Sequence, residues 1–207
     1  MLVKITLIVE GQTERAFLPF VRTFLTPILA GRMPKLDPWV YDGPIPKKDK
    51  LRRIVQSLLT KGPPESRSDY VIALTDVYTG RREFRDAADA KRQMHEWVGP
   101  QERFFAHAAQ HDFEAWLLPF WPRIQELAKH NRGAPAGAPE QVDHDKPPSM
   151  HIQDIFAAGR IRDCYVKPRD ARRILEGQDL SVAARACPEL RALLDRIRTL
   201  SEVTSIG

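Results

Sequence analysis

The run Tyr70 to Thr75 (YVIALT) leaves almost no polar residue to face water on either side. A strand with that pattern is stable in the middle of a parallel sheet, where helices cover both faces. Leu2 to Val9 (LVKITLIV), rich in β-branched residues, reads as a second buried strand. Between them, residues Thr13 to Leu29 place Ala16, Phe17, Phe20, Val21, Phe24, Leu25, Ile28 and Leu29 at helical spacing. Pro19 lies inside this stripe and predicts a late start or a kink. Pro38 to Tyr41 is expected as a short strand, Asp49 to Thr60 as a helix, Glu83 to Trp97 as a charged helix and Arg103 to Ala108 as a fourth strand. A helix from about Asp112 to His130 follows, and the tail reads as helical over Ile152 to Ala158, Pro168 to Glu176 and Leu180 to Leu200. Strands alternating with helices at this spacing argue for an α/β fold with a parallel sheet.

Proline supplies the punctuation. Of 17 prolines, many gather in Asp42 to Pro46, Lys61 to Pro64 and the stretch Asn131 to Ser149, which are loops by composition. The last is long for a loop in one domain, a length typical of functional segments or boundaries. The expected organisation is an α/β core over 1–130, a Pro/Gly-rich loop over 131–149 and a C-terminal helical segment over 150–207 packed on that core. Two cysteines, Cys164 and Cys187, exclude a disulfide framework and a structural zinc site by number and spacing. No stretch approaches the roughly 20 apolar residues of a membrane span, and the start lacks a signal-type apolar segment with a cleavage site. The expectation is a cytoplasmic protein with no membrane partner. The formal charge of +5 is a weak pointer to a polyanionic partner.

In an open α/β sheet, ligands bind beyond the carboxyl ends of the strands, where strand order reverses. The residues just past those ends are Glu10-Gly11, Asp76, and His111 with Asp112 and Glu114. Acids therefore recur at one edge on three connections. With the first and third strands as neighbours, roughly 5 Å apart, Glu10 and Asp76 face each other across a gap suited to Mg²⁺ or Mn²⁺. Each residue also has a purely structural reading: a turn after a strand for Glu10 and Asp76, capping of a helix start for Glu114, surface or packing for His111. Glu14, one turn beyond Glu10, fits the same site or a solvated helix face, and the solvated face is the expectation. Lys146 in the long loop and Lys167 in Tyr165-Val166-Lys167-Pro168 are candidates to stabilise a phosphate. Arg81-Arg82, Lys91-Arg92, Arg169 and Arg172-Arg173 are candidates for nucleic-acid backbone contacts. Phe104, Phe105, Trp116 and Trp121 read as core, so stacking on single-stranded bases is not expected of them.

The segment Leu7-Ile8-Val9-Glu10-Gly11-Gln12-Thr13-Glu14 resembles the first motif of the Toprim domain, shared by topoisomerases, primases and nucleases of the overcoming-lysogenization-defect (OLD) type. With Asp76-Val77-Tyr78, His111-Asp112-Phe113-Glu114-Ala115, Lys146-Pro147-Pro148-Ser149 and Ala186-Cys187-Pro188, the chain from Leu7 to about Leu194 resembles a bacterial Toprim-like family of unknown function. The resemblance implies a three-layer, Toprim/Rossmann-like α/β fold with a parallel sheet of about four strands and a C-terminal helical extension. It also implies a divalent-metal site. In that site Glu10 would do general acid/base work and Asp76 would be the first acid of an Asp-x-Asp metal motif. Here Tyr78 stands where the second acid belongs, so either Asp112 or Glu114 supplies the replacement ligand, or metal binding is weak and the domain cuts nothing.

The leading expectation is a Mg²⁺- or Mn²⁺-dependent nuclease-like protein in bacterial defence. Glu10, Asp76, Glu114, His111, Lys146 and Lys167 would be catalytic, and Glu10, Asp76, Asp112 and Glu114 would hold metal. Expected partners are DNA or RNA, a partner ATPase (the chain has no P-loop of its own) and a second copy of the chain. The alternatives are a non-catalytic module that binds nucleic acid or an ATPase, and a small-molecule phosphohydrolase or phosphotransfer enzyme.

Overall fold

A computed structural model describes residues 2–41, 43–78, 83–142, 146–159 and 164–202. Strand β1 (Lys4–Val9), helix α1 (Gln12–Leu29), strand β2 (Lys35–Val40), helix α2 (Lys48–Thr60), strand β3 (Tyr70–Asp76), helix α3 (Ala87–Val98) and strand β4 (Phe104–Ala109) follow in order. The strands form one parallel sheet in the order β2-β1-β3-β4. Side chains alternate along each strand. Ile5, Leu7, Val9, Ile72 and Leu74 join one core with α1 and the C-terminal helices, while Ile8, Val71 and Ala73 join another with α2 and α3. The three layers follow from strands that are apolar on both faces. The chain runs outward from β1 to β2, then returns past β1 to β3. The reversal therefore falls between β1 and β3, with Glu10 and Asp76 at its mouth.

Strand β2 is an edge with a guarded backbone. Lys35 N–H donates to Val3 O, and Tyr41 N–H donates to Val9 O. Alternation then turns the backbone of Leu36, Pro38 and Val40 outward. Pro38 has no N–H to offer, and the Leu36 carbonyl is taken by the Arg22 guanidinium.

Several elements depart from the sequence expectation. Helix α1 starts at Gln12 and continues past Pro19 and Pro27. Burial of Phe17, Leu18, Val21, Leu25 and Leu29, roughly 2 kcal/mol each, outweighs roughly 3 kcal/mol per proline. The buried stripe is also rotated from the expected one, leaving Ile28 exposed and taking in Glu14. Helix α3 begins at Ala87 and not Glu83, because Asp86 caps it by accepting from Asp89 N–H. The expected helix over 112–130 is two short 3₁₀ turns, Phe113–Trp116 and Leu118–Phe120, followed by helix α4 (Trp121–Ala128). Pro119 and Pro122 forbid the intervening helical hydrogen bonds.

Helices α5 (Pro148–Ala158) and α6 (Lys167–Leu175) come next. The expected single helix over 180–200 is split into α7 (Leu180–Ala186) and α8 (Pro188–Glu202), because Pro188 cannot continue α7 and instead opens α8. Helices α6, α7 and α8 all pack against α1, and α8 also meets β4. Among the described residues no helix is long and apolar enough to cross a membrane.

Candidate active site

The site is built from the ends of β1, β3 and β4 and closed by the segment entering α6. Glu10 follows β1 directly, and its Oε1 accepts hydrogen bonds from Ile45 N–H at 3.2 Å and from the Thr75 hydroxyl. Glu14, in the first turn of α1, is buried, correcting the solvated face expected of it. A Cβ at Gly11 would lie 3.3 Å from Glu14 Oε2, so glycine there lets this carboxylate fold back over the strand end. Asp76 closes β3. Beyond β4, Tyr78 N–H donates to His111 O at 2.6 Å, tying the third and fourth connections together. His111 is buried with a positive φ of 70°, and its backbone turn delivers Asp112 and Glu114 to the same edge.

Glu114 is fully buried and does not cap its own turn. Its Oε1 accepts from the Tyr165 hydroxyl at 3.1 Å, and its Oε2 pairs with Lys167 Nζ at 3.2 Å. Asp112 Oδ2 accepts from Ser149 N–H at 3.2 Å, at the start of α5, where a helix favours a negative charge.

The acids feel one another. Burial raises Glu10 to about 7, with Glu14 adding to the rise. Burial and then the Glu114 carboxylate raise Asp112 to about 7. Burial lifts Glu14, helped by Glu114. Asp76 is pushed well above the carboxylate range by burial and then by Glu14, Glu10, Asp112 and Glu114 in turn. Burial and the Glu114 carboxylate raise the Tyr165 phenol. Burial alone would lower Lys167, but Glu114, Asp112 and Asp76 outweigh it and hold its ammonium above its usual range.

Two shielded carboxylate oxygens, Glu14 Oε2 and Asp112 Oδ1, have no hydrogen-bond partner. Unpartnered buried oxygens in a crowd of acids need a proton or a cation. The donor set is made of hard carboxylate oxygens, the chemistry that suits Mg²⁺ or Mn²⁺. Among the described residues, no group of three or more His, Cys, Asp or Glu side chains is placed so that it could hold a metal ion.

The sequence candidates thus divide. Glu10, Asp76, Asp112, Glu114 and Lys167 share one electrostatic neighbourhood, and His111 supports it through its backbone. Lys146 is directed elsewhere, pairing with Asp154 at 2.6 Å. Lys91 pairs with Glu189, Arg92 with Asp89 and Glu96, and Arg169 and Arg173 with Asp170, so these cations are engaged within the fold. Arg81 and Arg82 lie outside the described residues, as does 143–145 of the long loop. Sequence reasoning missed Thr75, Tyr165 and the burial of Glu14. Glu14 had a signal, since it stands three, four and seven residues before Phe17, Leu18 and Val21 on the buried stripe.

A family model described as a domain of unknown function (DUF4276) matches residues 9–198. The chain belongs to this family. No curated protein matches it. Among solved structures, the DUF4276 chain is similar to the C-terminal region of the Burkholderia pseudomallei OLD protein, with a TM-score of 0.53 and 14% identity over 97% of this chain and 100% of that one. It is also similar to the C-terminal region of the Xanthomonas campestris pv. campestris OLD protein, with a TM-score of 0.50 and 17% identity over 99% and 98%. At these identities the likeness establishes the fold: a four-stranded parallel α/β arrangement shared over the whole chain.

Proposed function

We propose that this DUF4276 chain is a divalent-metal-dependent hydrolase of nucleic-acid phosphodiesters. The observation that carries the reading is that Glu10, Glu14, Asp76, Asp112 and Glu114 share one electrostatic neighbourhood at the strand-order reversal, with two shielded oxygens unpartnered and Lys167 paired to Glu114. Glu10, Asp76, Asp112 and Glu114 would hold Mg²⁺ or Mn²⁺, with Glu14 beside them. When bound, the ion supplies Lewis-acid polarisation of a phosphoryl oxygen.

The chain's own residues supply the rest. Glu10, in the role the sequence resemblance implies, gives and takes the proton of the attacking or leaving oxygen. Thr75 and Ile45 N–H hold its carboxylate in place. Lys167 has a half-exposed side chain above a buried Glu114, so its ammonium stands between the acids and an incoming phosphate, where it stabilises developing negative charge. The Tyr165 hydroxyl fixes the other oxygen of Glu114. A setting beside a separate ATPase in bacterial defence is what the sequence resemblance implies, and it is proposed on that ground.

A second reading is a non-catalytic module that binds nucleic acid or an ATPase. Tyr78 favours it, by standing where the resemblance puts a metal-binding acid. The two are separated by incubating purified protein with single- and double-stranded DNA and RNA in Mg²⁺, Mn²⁺ or chelator. Metal-dependent cleavage that falls at least about a hundredfold in Glu10→Gln and Asp76→Asn is the expected result. Bound but intact substrates in every metal support the module instead.

A further inference from the structure

The edge strand β2 carries a surface that folding does not account for. Its Leu36 is buried and its Val40 packs on the core with α1. Alternation places Asp37, Trp39 and Tyr41 on the opposite face, the side of α2. Trp39 is 45% exposed, a large apolar surface for a strand so near the carboxyl edge. Tyr41, half-buried, is bonded through its N–H to Val9 O, the residue before Glu10. Lys50 of α2 lies 4.9 Å from the Tyr41 ring centre and donates to its hydroxyl.

Lys47, Lys48 and Lys50 are exposed around this ring. Lys47 pairs with Glu83, while Lys48 projects into solvent with a strained positive φ of 49°. At the other end of the strand, Lys4 and Lys35 flank Asp37 at 3.5 and 3.4 Å.

An exposed Trp39 ring beside a half-buried Tyr41 ring, with lysines around both, suits an occupant with flat bases and a charged backbone. The two residues stand two strand steps apart, roughly 7 Å along the backbone, about twice the ~3.4 Å step between bases. A β-strand from another protein is a poorer fit, because the missing Pro38 N–H and the Arg22–Leu36 bond take two of the outward backbone groups it would pair with. A duplex hides its base faces, so it has nothing to stack on Trp39 or Tyr41.

We propose that Trp39 and Tyr41, with Lys48 and Lys50, form a track that binds the unpaired bases and phosphates of single-stranded DNA or RNA and leads the strand to Glu10. This rests on the reading of the acid site as acting on nucleic-acid phosphodiesters and narrows it to unpaired strands. The track adds the aromatic stacking that Trp116 and Trp121, both buried, do not supply.

The test is fluorescence anisotropy in chelator with labelled oligo-dT, oligo-U and a duplex, each of about 20 nucleotides. Trp39→Ala with Tyr41→Ala should raise the Kd for both single strands by about tenfold or more and leave duplex binding unchanged. Trp39→Ala alone, on an exposed position, keeps the test valid should the double variant unfold, and Trp39→Phe should restore most of the affinity. Lys48→Ala should flatten the salt dependence of single-strand binding. Unchanged single-strand affinity, or equal loss on single strands and duplex, overturns the track. If in that case Glu10→Gln still abolishes metal-dependent cleavage, the acid-site reading stands without it. A protein that neither binds nor cuts any polynucleotide overturns both.

Discussion

Asp170 and Asp112 are both shielded from water, at 0% and 2% exposure, yet they are held in opposite ways. Asp170 accepts from Val166 N–H at 2.8 Å, from the Arg169 guanidinium at 3.0 Å and from Arg173 at 3.1 Å. Burial would raise its carboxyl, but these partners win and hold it below the usual carboxylate range. Asp112 has the Ser149 contact on one oxygen and nothing on the other, and it faces Glu114; burial pushes it up to about 7. A buried acid that serves folding is fully satisfied by donors. Asp112 and Glu14 each keep one oxygen without a donor, and that deficit marks a site that spends stability on binding.

The contrast can be broken by substitution. Asp170→Ala should cost about 2–3 kcal/mol in denaturant unfolding, since it strands Val166 N–H and two guanidinium groups. Asp112→Asn should stay within about 1 kcal/mol of the parent or exceed it, because it removes a repelled charge of similar shape. Equal losses at the two positions would erase the distinction.

A pH titration sharpens it further. Glu10 and Asp112 have ordinary values of 4.5 and 3.8 and sit at about 7 in the folded chain. Between those limits the folded chain holds protons that the unfolded chain has released. Stability therefore falls as pH rises through that window and levels off above it. The melting temperature in chelator should drop by roughly 10 °C from about pH 5 to about pH 8, and Mn²⁺ should recover it at the upper end. Asp170, with a lowered value, contributes stability above 3.8 that is lost only as pH falls below that point.

Lys167→Met leaves the buried Glu114 carboxylate without its ammonium and should cost about 3 kcal/mol in denaturant unfolding, while calorimetry should show tighter Mn²⁺ binding once the competing cation is gone.

The sheet and its acidic edge were legible because strands apolar on both faces admit few arrangements, and the residue after each strand is then placed by topology. Lys167 and Lys146 could not be told apart in the sequence. Both adjoin proline, and only the packing of α6 on α1 decides that Lys167 reaches Glu114 while Lys146 meets Asp154. Tyr165 is hidden for the same reason, since its partner lies 51 positions away. Trp39 escaped because the strand was expected to begin at Pro38, too short for its alternation to be read. The helix expected over 112–130 failed on local chemistry, since Pro119 and Pro122 outweigh the apolar content of that segment.

The distance along the chain from Glu10 to Lys167 matters while the protein is being made. The acids of β1, β3 and β4 emerge from the ribosome first, and they remain uncompensated until the segment from Tyr165 to Lys167 arrives. A product that stops short of α6 lacks the hydroxyl and the ammonium that hold Glu114, so an interrupted chain carries the carboxylates without a finished site.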